Sequence, residues 1–519
     1  MKRLYCNGKI ITMRSPEVYD YIIAENGIIE HVGKGEAPCG DFEVKDLKGM
    51  TAMPAFIDAH SHFAAVADRT LQCRLDKAYS FEDIEKLIRS FMRDNGVKPG
   101  EWVKASGYDH NQLAEGVHPD IRLLDRICPN NPLAVSHASG HMGVFNSVAL
   151  KLLGANASAA PPEGGKFGYT DGRLNGYMEE SAFLEYLRKT PMVSREEYMR
   201  AFDRAQGKYA SSGITTVQEG MLVNELCPVY KELAESERLR LDAVGYADYS
   251  SADSIYACLG GSFRHFRLGG VKIFLDGSPQ GKTAYMLEPY EGEDEYRGYS
   301  VMSSEEVISA LEYAARRGIQ LLAHCNGDAA AEQFLSCAEK AAANFPAIRG
   351  LRFVMIHAQF VRPSQIDRAK LLGIIPSFFT AHSYYWGDTH IKNLGFERAS
   401  GMSPAKSALE RGIPFTFHQD SPVIEPDMLE TIRCAAERVT KSGVRLEREK
   451  ISVFEALRAV TANAAYQYGE EKRKGTLERG KNEDIVITDK NPLEQDISGL
   501  DEISIAATVK SGKTVYSAE

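Results

Sequence analysis

Four times in the middle of this chain a glycine is followed at once by a short apolar strand. Ser194 to Ser212 reads as a helix opened by a capping box, Ser194 with Glu197. Gly213 ends it and Ile214-Thr215-Thr216-Val217 follows. Ser303 to Arg317 repeats the pattern, with Ser303 and Glu306 as its box, then Gly318 and Ile319-Gln320-Leu321-Leu322-Ala323-His324. Gly373 precedes Ile374-Ile375-Pro376-Ser377-Phe378, and Gly412 precedes Ile413-Pro414-Phe415-Thr416-Phe417. Glycine tolerates the left-handed conformation that closes a helix, so each marks a helix-to-strand junction. Buried apolar strands alternating with helices indicate a parallel sheet. Eight strands are expected, near residues 54–60, 213–219, 240–247, 270–276, 320–325, 352–357, 374–379 and 414–420. The expected fold class is α/β, a (β/α)8 TIM-like barrel.

The two ends of the chain read differently. Tyr21-Ile22-Ile23-Ala24 and Ile28-Ile29-Glu30-His31-Val32 flank Asn26-Gly27, a strong hairpin signal because the tight turn needs positive φ. At the far end, Asp484-Ile485-Val486-Ile487-Thr488 reads as a strand, and Ser511-Gly512 as the turn of a second hairpin. Neither end could form a stable sheet alone. They are expected to pair into one small β-sandwich, residues 1–53 with 474–519. The barrel then occupies 54–430 and its closing helices 431–473. The stretch from about 64 to 200 is too long for one crossover and is expected to be an insertion subdomain, with a Pro/Gly-rich loop at Ala160-Pro161-Pro162-Glu163-Gly164-Gly165. A long, acidic, glycine-rich loop at 276–300 reads as a lid. At roughly 150 residues per domain, 519 residues suggested three or four domains in a row. An interrupted barrel replaces that count.

Charge narrows the partners. Sixty-one basic against 71 acidic residues give a net charge of −10, which argues against a nucleic-acid or anionic-membrane surface as the main business. No run of 18 apolar residues suggests a transmembrane helix, and no signal peptide is read behind Met1-Lys2-Arg3. Nine scattered cysteines without CxxC spacing fit buried thiols in a reducing compartment, so a cytoplasmic location is expected. The expected partners are a small-molecule substrate and, at most, a second copy of the chain as a homodimer.

The chemistry gathers at strand ends. The first strand runs into Phe56-Ile57-Asp58-Ala59-His60-Ser61-His62. Residues two apart on a strand face one side, so His60 and His62 can aim two imidazoles at one point. Lys272, His324, His357 and Asp420 lie at the C-terminal ends of later strands, where barrel enzymes hold their chemistry. One such residue is ordinary core filling. Five strand ends carrying metal-type residues in one mouth point to a metal site.

In this order of residues the chain resembles the amidohydrolase superfamily. Phe56–His62 is similar to its opening motif. Lys272-Ile273-Phe274-Leu275-Asp276-Gly277-Ser278, Ala323-His324-Cys325-Asn326-Gly327-Asp328 and Asp420-Ser421-Pro422-Val423 resemble the family 3 branch, which includes N-substituted formamide deformylases. Ser139-Gly140-His141 and Thr461-Ala462-Asn463-Ala464-Ala465 resemble it too. The resemblance implies one or two divalent metal ions, zinc above others. His60 and His62 would hold the more buried ion, with Asp420 close by. His324 and His357 would hold a second ion or orient substrate, and Lys272 would be a carboxylated, bridging ligand. A plain ammonium has no lone pair to offer. Asp420 would act as general base toward water and then as general acid toward the leaving amine.

The implied reaction is hydrolysis of a non-peptide carbon–nitrogen bond, in an amide, an N-substituted formamide or a cyclic amide. Deamination of a heterocycle and a non-catalytic binding role on the same scaffold are the alternatives. Two departures touch the pocket: His418-Gln419 stands where relatives carry Gly-Ser, and Pro279-Gln280-Gly281-Lys282 where they carry Leu-Gly-Ser-Arg. His418 shares the side of Asp420 on a regular strand and is a candidate substrate contact. His141, His382 and Trp386 are further candidates. The aromatic loop His382, Tyr384, Tyr385, Trp386, His390 would suit an apolar or aromatic substrate group. Tyr108-Asp109-His110, His137 and His141 lie in the insertion, where structural hydrogen bonding is an equal reading. Cys325 should turn away from the site as a core thiol.

Overall fold

Eight strands pair in parallel and in chain order in the computed structural model, which describes residues 2–155, 160–162, 164–191, 193–261 and 263–518. They are β1 (Phe56–Ile57), β2 (Ile214–Leu222), β3 (Asp242–Asp248), β4 (Phe266–Phe274), β5 (Gln320–Cys325), β6 (Val354–His357), β7 (Ile375–Phe378) and β8 (Thr416–Phe417). Each overlaps an expected strand. Every residue of β6 and β7 is buried, as a sheet covered on both faces requires. The ladder ends at β1 and β8, and the sheet curls until these two meet. Just past them the His62 N–H donates to the Ser421 carbonyl (2.7 Å) and the Asp420 N–H to the His60 carbonyl (3.2 Å). The sheet is thus closed as a TIM-like barrel, and the closing bonds bring His60, His62 and Asp420 side by side.

Local chemistry explains why the strands start where they do. Gly213, Gly318, Gly373 and Gly412 have φ of 79°, 65°, 67° and 61°. Ser303 and Glu306 form a complete capping box, and the Ser194 hydroxyl accepts from the Glu197 N–H at 3.2 Å. Inside the barrel, Ile57, Val244, Tyr246, Leu322, Val354, Ile356 and Ile375 pack on Ala464, Ala465 and Tyr468 of a closing helix. The interior is filled, so the chemistry is confined to the mouth. The 276–300 stretch carries no helix or strand. It is tied to the mouth, where Asp276 accepts from the Tyr285 N–H (3.0 Å) and Asp328 from the Leu287 N–H (2.8 Å).

Strands from both chain ends share a six-stranded sheet. Lys9–Ile11, Val18–Tyr19 and Thr51–Pro54 join Ile485–Thr488, Ile505–Lys510 and Lys513–Ser517. A four-stranded sheet holds Lys2–Cys6, Tyr21–Glu25, Ile28–Gly33 and Glu43–Asp46. Both expected hairpins turn through left-handed pairs: Asn26 and Gly27 at φ 51° and 82°, Ser511 and Gly512 at 48° and 75°. One apolar cluster, including Tyr5, Ile22, Ile29, Ile10, Ile485 and Val509, draws on both sheets.

The chain separates into two compact units, residues 1–64 with 205–519, and residues 65–204. The second unit has its own six-stranded sheet. Cys73–Arg74, Val103–Tyr108 and Leu133–His137 pair in parallel, and Met142–Phe145, Arg173–Glu179 and Gly165–Thr170 continue it antiparallel. Phe81–Asp94 and Ile121–Ile127 bury one side of the sheet around Ile84, Ile88, Leu124 and Val135. Phe145, Phe183 and Tyr186 form a second cluster. Glu163 of the Pro/Gly-rich loop lies outside the described residues. Among the described residues no helix is long and apolar enough to cross a membrane.

Candidate metal centre

The regular part of β1 stops at Ile57, so strand alternation alone does not aim the two histidines. The closing bonds to Ser421 and Asp420 do, together with an isolated bridge between His62 and Glu219. His60 Nε2 lies 3.4 Å and His62 Nε2 3.3 Å from the same atom, Asp420 Oδ1. A tetrahedral ion with ligands at about 2.0–2.2 Å has ligand–ligand edges of roughly 3.3–3.6 Å. Asp420 Oδ1 is buried, and no hydrogen bond among the described residues satisfies it. Two imidazole nitrogens and an unsatisfied carboxylate oxygen at this spacing fit a divalent cation.

Neighbouring groups set the histidine orientations. Gln218, on β2, receives His60 Nδ1 at 2.6 Å, which keeps Nε2 as the lone-pair side. The Gln218 amide is itself fixed, donating to the Ala59 carbonyl and the Tyr468 hydroxyl, both at 2.8 Å. Glu219 stands 3.7 Å from His62 Nδ1 and accepts from the Tyr230 hydroxyl (2.6 Å) and the Ala64 N–H (2.8 Å). Gly220 leaves room for the ring, since a Cβ there would meet His60 Cε1 at 2.5 Å.

The electrostatics follow the placement. Burial, then the Lys272 charge, holds His60 well below the usual imidazole range. Burial works the same way on His62, but the flanking Asp420 and Glu219 carboxylates prevail and raise it to about 9. Burial pushes Asp420 up, yet His62, His357 and His60 hold it well below the carboxylate range. The two carboxylates draw positive charge to this spot, as a cation site requires. Asp420 and His357 adopt φ of 53° and 71°, left-handed conformations that cost about 1–3 kcal/mol each and collect at working sites.

A second pair sits beside the first. The His324 and His357 rings lie 4.6 Å apart. His324 Nδ1 rests on Asp276 Oδ1 at 3.2 Å. His357 Nδ1 meets His418 Nε2 at 3.1 Å, and His418 Nδ1 meets the Ser377 hydroxyl at 2.8 Å. This leaves His357 Nε2 facing Asp420 Oδ2 at 4.0 Å. His418 thus orients a candidate ligand as well as lining the mouth. The Lys272 amine, on β4, is buried with no hydrogen-bond partner among the described residues. Burial pulls it down to about 7, against the opposing charges of Asp420 and Cys325. Cys325 is fully buried on the opposite side of its strand from His324.

His382 stacks on His390 (Nδ1 to Nε2, 3.0 Å) and packs against Trp386 and Phe379, each with ring centroids at 4.6 Å. Phe379 continues to His418 at 5.5 Å, so an aromatic wall runs from this loop to the metal-type residues. His141 belongs to the second unit, where it pairs with Glu180 at 3.1 Å and is largely exposed. Gln218, Glu219 and Ser377 were not singled out from sequence. The available signal was a polar pair closing an apolar strand, Val217-Gln218-Glu219. Asp276, fifth in the Lys272–Ser278 motif, has a supporting part that its place in the sequence does not reveal. It accepts from the Asn326 (2.9 Å), Gly327 (2.7 Å) and Tyr285 (3.0 Å) backbone N–H groups as well as supporting His324.

Known proteins resemble this arrangement end to end. The chain is 29% identical to Protein LONG AFTER FAR-RED 3 of Arabidopsis thaliana, covering 99% of this chain and 91% of that one. It is 26% identical to an N-substituted formamide deformylase of Arthrobacter pascens, covering 92% and 91%. The crystal structure of an uncharacterized metal-dependent hydrolase from Pyrococcus furiosus superposes with a TM-score of 0.72 at 25% identity, covering 95% of this chain and 100% of that one. A model of the amidohydrolase family matches residues 43–516, which takes in all eight barrel strands and every candidate ligand on them. The chain belongs to the amidohydrolase family.

Proposed function

We propose that this protein is a metal-dependent hydrolase of a non-peptide carbon–nitrogen bond, in an amide, an N-substituted formamide or a cyclic amide. The observation that carries the reading is the convergence of His60 and His62 Nε2 on Asp420 Oδ1, a buried carboxylate oxygen without a hydrogen bond among the described residues. His60, His62 and Asp420 would hold one divalent ion, and His324, His357 and a carboxylated Lys272 a second. Zinc suits the imidazole-rich donor set. Such ions supply Lewis acidity toward a carbonyl and a water molecule.

The chain's own groups do the rest. Asp420 stays ionised, so its carboxylate can accept a proton from water and then release it to the leaving nitrogen. Gln218 and Asp276 keep the imidazole lone pairs aimed inward. Among the described residues no hydrogen bond holds the Lys272 amine, and burial favours its neutral form, which can react with carbon dioxide: an N–C bond forms, a proton leaves, and a carboxylate ligand results. The wall of Phe379, His382 and Trp386 supports an apolar or aromatic group on the substrate. The paired terminal sheets and their shared apolar cluster support reading both chain ends as one small β-sandwich. Nine unpaired thiols support a cytoplasmic location.

The test is a product assay on a panel of N-substituted formamides, linear amides and lactams with zinc-loaded protein. Formate or another carboxylate should appear in step with free amine. Asp420→Asn should lower kcat by roughly 100-fold or more, the usual contribution of a general acid–base group. Ammonia from a heterocycle, with no carboxylate product, would overturn the assignment.

A further inference from the structure

The foot of the barrel gathers cations that the metal chemistry does not use. Two adjoining cavities open there, of about 510 and 260 Å³. Both lie within the first compact unit. They share Arg264, His265, Lys510 and Ser511, and so form one groove between the starts of β3 and β4 and the C-terminal hairpin. Phe266 opens β4 six residues before Lys272. At about 3.3 Å per residue, the groove lies about 20 Å along that strand from the metal-type residues.

The chain as a whole is acidic, at −10, but the groove is not. Arg264, Arg267, Arg473 and Lys510 line the larger cavity, against Asp242 and Glu470. Arg240 and Lys513 are added in the smaller one, against Glu237. Behind the wall, Lys474 and Asp484 offset each other in charge. Two of the carboxylates are already shared. Asp242 holds His265 (2.7 Å), Lys510 (2.9 Å) and Lys474. Glu470 holds Lys474 (2.8 Å), Arg473 (2.9 Å) and Arg267 (3.4 Å). Among the described residues, neither the Arg264 guanidinium nor the Lys513 ammonium has a hydrogen bond or an ion pair. Arg264 lines both cavities, so this free fork serves the whole groove. Val244, Phe263 and Phe266 give the larger cavity an apolar side.

We infer that this groove binds a small organic phosphate, with its dianionic head on Arg264 and Lys513 and its apolar body against Phe263 and Val244. A guanidinium presents a planar fork that matches two phosphate oxygens, and an ammonium adds a point charge. A carboxylate would balance only one of the two free cations, whereas a phosphate monoester balances both. Small-molecule pockets hold on the order of 300–1,000 Å³, and the groove falls in that range. The site uses none of the candidate metal ligands and does not depend on the hydrolase reading.

Calorimetric titration of the full-length protein with phenylphosphonate tests this. The probe joins a dianion to an aromatic body and has no ester bond to hydrolyse. One molecule should bind per chain. Arg264→Ala/Lys513→Ala should weaken binding roughly 10–100-fold, the worth of a lost hydrogen bond to a charged group. Both side chains are exposed, so the variant should keep the wild-type urea midpoint. Arg264→Lys keeps the charge but loses the fork, and its affinity should fall between the two. Inorganic phosphate should bind roughly 10-fold more weakly than the probe, since it buries no apolar surface on Phe263. Equal affinity for both would overturn the organic-phosphate assignment. His60→Ala/His62→Ala protein should bind the probe as the wild type does. Binding lost in that variant would put the probe on the barrel metals and overturn the proposal. So would an affinity that Arg264→Ala/Lys513→Ala leaves unchanged, or no binding to the wild type at all.

Discussion

Gln218 touches no reacting atom, yet its carboxamide decides which nitrogen His60 presents. Replacing it by leucine removes the acceptor for His60 Nδ1 and leaves the Ala59 carbonyl and the Tyr468 hydroxyl each without this partner. Gln218→Leu should lower zinc affinity roughly 10–100-fold, read by competition with a chelating dye. Tyr468→Phe keeps the carboxamide on Ala59 and should cost much less. Gly220→Ala reaches the same imidazole by another route, pressing a Cβ against His60 Cε1, and should weaken zinc binding too. Equal zinc affinity in Gln218→Leu and wild type would show that His60 is not oriented from Nδ1. The ligand candidates were legible in sequence because histidine, lysine and aspartate stand at strand ends in a recognisable order. Gln218 and Glu219 were not, because their roles arise only when β2 lies beside the segment after β1.

Helix-to-strand junctions were legible for the opposite reason, since a left-handed residue is a local demand. Gly318 illustrates it: φ is 65°, and a Cβ there would meet nothing within 4 Å. Gly318→Ala should therefore cost only the conformational term, about 1–2 kcal/mol, read as a shift in the urea midpoint with zinc binding unchanged. Gly270 in β4 looks similar in sequence but acts differently. A Cβ there would meet the Gln320 carbonyl oxygen at 1.8 Å, so the β4–β5 pairing itself needs glycine. Gly270→Ala should cost more than Gly318→Ala and should also disturb Lys272, two residues on. Equal midpoints for the two variants would reject this distinction. Periodicity and turn chemistry thus located the elements, while close approaches between them remained invisible until the strands were laid together.

At the scale of the molecule, the terminal sheet must be held to the barrel it encloses. Asp242 opens β3 at the foot of the barrel. It pairs with Lys510 of the C-terminal hairpin (2.9 Å) and with Lys474, while Lys510 also reaches Asp484 at 3.0 Å. Burial alone would push the Asp242 carboxyl up. The charges of Lys474 and Lys510 and a hydrogen bond from His265 overcome it and hold the group well below the carboxylate range. A carboxyl depressed in the folded state adds stability that is complete above its unfolded pKa, about 3.9, and is lost as pH falls through the folded value. Two buried ammonium groups share this carboxylate, Lys474 also facing Glu470 at 2.8 Å and Lys510 facing Asp484, so removing its charge leaves both under-compensated. Asp242→Asn should destabilise the protein by about 3 kcal/mol at neutral pH, the scale of breaking a buried ion pair. The gap between variant and wild type should stay constant from pH 7 to about pH 4 and narrow below that, as the wild-type carboxylate takes up its own proton. Urea unfolding at pH 7, 5 and 3 reads the gap directly. A gap that is as wide at pH 3 as at pH 7 would mean that packing around Asp242, and not its charge, joins the C-terminal hairpin to the barrel.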